Sequence, residues 1–147
     1  MPDPLPTSLI DIDATFLPID QMRQISRITR VDGAHIDGEV DLGEAHWVYR
    51  QHFPSDPIFP GTLIIEAAGQ LTALWAWSQG QRGRPRLVRA NADFQHPVVP
   101  ENPSIRLEAS VQRKRNINFA HVLVYAGGRR VATIDTVLAV LPHTPTH

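Results

Sequence analysis

Between Leu63 and Trp77 the chain offers almost no polar face. Leucine, isoleucine, alanine and tryptophan fill this stretch, and only Glu66, Gly69, Gln70 and Thr72 interrupt them. Pro60-Gly61 ahead and Gly80 behind are start and stop signals, so the segment reads as a helix over 60–79. A helix apolar all round must be buried. The rest of the chain therefore has to wrap it. Glu66 is carried inward with the helix, where a carboxylate is costly unless it is protonated, paired or hydrogen-bonded.

The wrapping elements are legible as strands. Residues 24–31 and 34–42 flank Asp32-Gly33, a hairpin signal. Residues 86–95 form a further extended run after a basic loop at 81–85. Residues 104–113 alternate cleanly, with Ile105, Leu107, Ala109 and Val111 on one face and Arg106, Glu108, Ser110 and Gln112 on the other. Residues 117–125 and 129–141 join across Gly127-Gly128, a tight turn. One long helix followed by a meander of strands gives an α+β fold with the sheet curved round the helix. One sheet that small is not expected to cover the helix fully, so a second copy is expected to complete the burial. The whole of 1–147 reads as one domain, with 1–8 and 142–147 as mobile ends.

Composition removes several classes of function. There is no cysteine, hence no disulfide, thiolate metal site or cysteine nucleophile. A formal net charge of −1 argues against a dedicated nucleic-acid binder. No run approaches the ~18 apolar residues of a membrane span, and the start of the chain lacks the features of a signal peptide. A cytoplasmic location is the expectation. The spacing of His46, His96 and His121 matches no common zinc pattern.

Chemistry concentrates in 51–70. Prolines at 54, 57 and 60 stiffen a loop that carries His52, and the loop runs into Gly61 at the helix start and Glu66 in its second turn. A histidine held near a carboxylate in an apolar setting is the material of a proton-transfer pair. The run Gln51-His52-Phe53-Pro54-Ser55-Asp56-Pro57-Ile58-Phe59-Pro60-Gly61, continuing to Glu66-Ala67-Ala68-Gly69-Gln70, resembles the signature G-H-F-P-G-x-P-x-x-P-G-V-L-x-x-E-A-x-x-Q of the FabZ-type 3-hydroxyacyl-acyl-carrier-protein dehydratases. A second element of that family, F-x-x-P-V-x-P-G-D, is matched by Phe94-Gln95-His96-Pro97-Val98-Val99-Pro100-Glu101-Asn102. The departures are Gln51 and Ser55 for two glycines, and Glu101-Asn102 for Gly-Asp.

The resemblance implies a single hotdog fold and dehydration of 3-hydroxyacyl to trans-2-enoyl thioesters, in fatty-acid or polyketide and polyene biosynthesis. No cofactor is called for. It implies His52 as base, Glu66 as acid, the Gly61 N–H as oxyanion donor and Gln70 as a residue that orients Glu66. Phe59, Phe94, Pro97 and Val98 fall where the family lines its acyl tunnel. Each residue also has a plainer reading: His52 capping a turn, Glu66 answering the helix dipole, Gln70 satisfying backbone at an interface, the aromatics filling core. The implied partners are acyl carrier protein, with its phosphopantetheine-linked chain, and further copies of this chain, at least a dimer with a trimer of dimers as the larger form. Arg82, Arg84, Arg86 and Arg89, with Arg113-Lys114-Arg115, are candidates for meeting an acidic carrier. Two alternatives belong to other classes: a non-catalytic hotdog subunit paired with an active homologue, and an acyl thioesterase.

Overall fold

The computed structural model describes residues 20–51 and 55–142. Both expected mobile ends, apart from Pro142, lie outside these residues. β1 (Arg27–Val31) and β2 (His35–Asp41) form the first hairpin. Its turn is closed by the Asp32 N–H donating to the His35 carbonyl at 2.9 Å and the Ala34 N–H donating to Asp32 Oδ1 at 2.8 Å. The helix α1 (Gly61–Ser78) follows, with Pro60 and Gln79 as its caps. β3 (Arg84–Phe94), β4 (Ser104–Lys114), β5 (Ile117–Ala126) and β6 (Arg129–Leu141) complete the chain.

The six strands form one antiparallel sheet in the order β1-β2-β4-β5-β6-β3. Alternation decides which side of each strand faces α1. On β4, Ile105, Leu107, Ala109 and Val111 are buried, as the period of two requires. Val122 and Val124 on β5 and Ile134 and Leu138 on β6 continue the layer. Ile64, Ala67, Leu71, Leu74 and Trp75 of α1 fill the concavity from the other side. At about 25 cal/mol per Å² of apolar surface, burying such side chains is the main drive for the sheet to curve round the helix.

Two strand boundaries and the coverage of α1 depart from expectation, each for a physical reason. β1 begins at Arg27 rather than 24, because the amides of Gln24 and Ile25 are taken by the Gln70 side chain instead of a neighbouring strand. β3 begins at Arg84 and includes Pro85, which lacks a donor; a sheet edge is where a strand tolerates that. Between β2 and α1 lies a 3-10 turn at Trp47–Arg50, with His46 as its cap. The third departure is coverage. One sheet does bury α1 from Ala67 to Ala76. Most of the large apolar side chains left exposed among the described residues lie on β3, where Leu87, Val88 and Phe94 are 45%, 63% and 48% exposed, with Met22 and Phe119 elsewhere.

Candidate active site

The N-terminal turn of α1 is the centre of the candidate site. Pro60 caps the helix without a side-chain acceptor. Its carbonyl takes the N–H groups of Leu63 and Ile64 at 3.1 and 3.2 Å. Gly61 and Thr62 therefore carry the leading N–H groups of the helix, where the dipole favours negative charge. A Cβ built on Gly61 would lie 2.7 Å from Cζ of Phe94. Only glycine lets the Phe94 ring, at the end of β3, rest on the helix start.

The two sequence motifs meet here. The Phe59 N–H donates to the Val98 carbonyl at 2.8 Å, and both side chains are buried. Phe59, Phe94 and Val98 thus gather around the start of α1, whereas Pro97 is exposed. Asn102 accepts the Val99 N–H on Oδ1 at 2.9 Å and donates its own N–H to the Val99 carbonyl at 2.9 Å. The side-chain oxygen that closes this turn is one that Asp and Asn share, so the departure at 102 leaves the turn intact.

Glu66 is not carried fully inward. It is half-buried, on the same stripe of α1 as exposed Thr62 and half-buried Ile65. The sheet covers the helix from Ala67 onward and leaves this first part of the stripe open. The carboxylate is nonetheless held. Gln70, one turn later and 2% exposed, donates from Nε2 to Glu66 Oε2 at 2.9 Å. The same nitrogen donates to the Met22 carbonyl at 2.7 Å, while Oε1 accepts the Gln24 N–H at 2.8 Å. The two readings of Gln70 therefore combine: it holds Glu66 and satisfies backbone, here the chain's own segment at 22–25.

His52, with Phe53 and Pro54, lies outside the described residues. The flanks of that loop are described. Gln51 has φ −113° and ψ −11°, an ordinary right-handed conformation. The only positive-φ residue other than glycine among the described residues is Arg115, so Ser55 also avoids the region that favours glycine. Both substitutions for loop glycines sit on backbone that any residue adopts.

Two residues just upstream, His46 and Tyr49, pack against the site without any motif to mark them. His46 caps the 3-10 turn by accepting the Val48 N–H on Nδ1 at 3.2 Å, and its ring meets Phe59 edge-on at 5.5 Å. Burial holds its imidazole below the ordinary value, which keeps Nδ1 free to accept. Tyr49 is 6% exposed, with its ring against His46 at 6.1 Å. The aromatic density of 46–49 was the available signal. His96 joins none of these groups; its N–H donates to the Val131 carbonyl at 3.2 Å.

Three members of the two basic groups that the sequence leaves separate share one face: Arg86, Arg89 and Lys114. Lys114 pairs with Ile117, Ile117 with Ala139, and Ala139 with Arg86. Directly paired residues project to the same side of a sheet, so Lys114 and Arg86 stand on the outer face, three strand spacings or about 14 Å apart. The irregularity between Leu87 and Arg89 brings Arg89, opposite Val137, onto that face as well.

Comparison with known proteins agrees with this architecture. A family model described as a FabA-like domain matches residues 17–135. The 3-hydroxyacyl-acyl-carrier-protein dehydratase FabZ of Brucella abortus (strain S19) is 32% identical, over 76% of this chain and 74% of that protein. The protein of the same name from Brucella ovis gives the same figures. Among solved structures, the dehydratase heterocomplex ApeI:P from Xenorhabdus doucetiae has a TM-score of 0.70 at 14% identity, covering 87% of this chain and 90% of that one. A thioesterase from Haemophilus influenzae has a TM-score of 0.63 at 15% identity, covering 82% and 81%. At such identities these two structures speak for the fold alone. With its family model spanning 17–135 and curated dehydratase relatives at 32% identity, this chain belongs to the FabA-like family of hotdog-fold proteins.

Proposed function

We propose that this protein dehydrates 3-hydroxyacyl groups carried on acyl carrier protein to trans-2-enoyl groups. The observation that carries the reading is the Gln70-anchored Glu66 carboxylate, set in the second turn of a helix whose leading N–H groups have no capping side chain. His52 takes the α-proton, and the electron pair left behind forms the C2–C3 double bond. The 3-hydroxyl departs as water with a proton from Glu66. The Gly61 N–H, at the positive end of α1, donates to the thioester oxygen as negative charge develops there. Gln70 positions the acid. Phe59, Phe94 and Val98 wall the acyl path, with exposed Pro97 at its margin.

His52→Ala and Glu66→Gln are each expected to lower turnover of 3-hydroxyacyl carrier-protein substrates by about 10²–10⁴-fold while the fold persists. Folded variants within threefold of wild type would remove that residue from the mechanism. The thioesterase alternative has a direct readout in the same assay, since it releases free acid rather than an enoyl thioester.

The carrier meets the outer face through Arg86, Arg89 and Lys114, whose shared side supports one docking surface for an acidic partner. The assembly is at least a homodimer, with a trimer of dimers as the larger form, and the open edge of β3 supports the pairing. In that assembly His52 of one copy works with Glu66 of the other. Mixing His52→Ala with Glu66→Gln protein should then restore part of the activity, and no rescue under demonstrated subunit exchange contradicts a shared site. No helix among the described residues is long and apolar enough to cross a membrane. The cytoplasm is the proposed location.

A further inference from the structure

Tyr49 carries a hydroxyl that is buried and has no hydrogen-bond partner among the described residues. The residue is 6% exposed. It belongs to the 3-10 turn Trp47–Arg50, three positions ahead of His52 in the sequence. Its ring is fixed by its neighbours. The His46 imidazole stands at 67° to it, 6.1 Å away, and that imidazole in turn is held by the Val48 N–H and by the edge-on ring of Phe59. Phe59 is tied to Val98 through its backbone N–H. Tyr49 is therefore part of the same packed group as two proposed wall residues of the acyl path. Burial first, and the charge of Glu101 second, push its phenol up to about 12, so it keeps a proton to donate.

A buried hydroxyl left without a partner destabilises the fold, because it has lost water and gained nothing in exchange. Phenylalanine would give the same ring packing without that cost. Among the described residues nothing uses this donor, which belongs to the packed group bordering the proposed acyl path. We propose that Tyr49 is a specificity-determining residue whose hydroxyl donates to an oxygen acceptor of the incoming acyl-phosphopantetheine, a carbonyl or hydroxyl oxygen of the arm or of the chain. This rests on the dehydratase reading for the identity of the substrate.

The test compares wild type with Tyr49→Phe in thermal unfolding, in binding and in turnover. Binding uses stable 3-hydroxyacyl pantetheine amides, and truncated amides that retain the acyl chain but lack the outer part of the arm. A third set carries an additional oxygen in the chain. Tyr49→Phe is expected to melt at the same temperature as wild type or higher, since the unpaired hydroxyl is gone. Its affinity should fall about tenfold, with the turnover loss appearing in KM rather than kcat. A loss confined to full-length arms assigns the acceptor to the arm; one confined to the oxygen-bearing chains assigns it to the chain. A lowered melting temperature overturns the proposal, because the hydroxyl then has a partner within the protein or its assembly. Equal affinity for all three sets overturns it too. A wild type that binds the amides but turns over no thioester would sink the dehydratase reading while leaving the Tyr49 comparison readable. A wild type that binds none of them overturns both.

Discussion

The Gln70 side chain joins three parts of the chain: Glu66 one turn back on α1, the carbonyl of Met22, and the amides of Gln24 and Ile25. Its spacing from Glu66 is legible in the sequence, because residues four apart on a helix are neighbours. Its bonds to 22–25 are not, since they span more than forty positions and depend on where the chain enters the sheet. Gln70→Ala should destabilise the fold by about 1–3 kcal/mol through the buried backbone groups it strands, read as a lower urea midpoint. Gln70→Glu separates positioning from structure. A carboxylate there keeps an acceptor for the Gln24 N–H but replaces the amide N–H that holds Glu66 Oε2. Turnover should therefore fall in kcat, by about tenfold or more, in a variant that still folds. An unchanged kcat would leave Gln70 a purely structural residue. Tyr49 permits a similar check with its sign fixed. Its phenol is raised from 10.0 to about 12. The stability tied to its neutral form is therefore complete below pH 10 and lost as pH rises through 12. Ultraviolet titration should show a late-ionising tyrosine that disappears in Tyr49→Phe.

At the scale of elements, periodicity carried most of the fold. The clean alternation of β4 and the unbroken apolar run of α1 admit one reading each, and both elements stand within a residue or two of where the pattern puts them. Boundaries fail where a long-range partner decides them: β1 starts late because of Gln70, and β3 runs through Pro85 because it is an edge. A tight contact of helix with sheet is equally invisible in sequence. Gly38 on β2 has Leu71 of α1 above it, and an added Cβ would meet Leu71 Cδ1 at 2.9 Å and the Arg27 carbonyl oxygen at 3.1 Å. Leu71 has some freedom to shift, but the carbonyl is held in the β1–β2 pairing. Gly38→Ala is expected to cost about 1–3 kcal/mol by overpacking, seen as a lower urea midpoint with strand content retained. Stability equal to wild type would mean that the β1–β2 hairpin yields more readily than a paired strand should.

For the whole molecule, the sequence argument reached oligomerisation from a helix too apolar for one sheet to cover. The helix is in fact covered from Ala67 to Ala76, and the pressure to associate has moved to the edge of the sheet. β3 ends the strand order with one side unpaired, and Leu87, Val88 and Phe94 add exposed apolar surface along it. Natural sheets blunt such edges with charge, proline or a bulge. This strand has arginines on its outer face, Pro85 near its start and an irregularity after Leu87, yet Val88 at 63% exposure remains uncharged where another chain can reach it. In the proposed dimer, backbone pairing along the edge with apolar contact around Val88 would account for that choice. Val88→Asp places a desolvated charge in such an interface, while in a monomer it changes only an exposed position. Sedimentation should therefore show the mutant at lower mass than wild type with an unchanged circular dichroism spectrum. On the proposed site shared between two copies, dehydration should fall with it. A mutant that stays associated would move the interface off β3, and one that is monomeric but fully active would place the complete site within one chain.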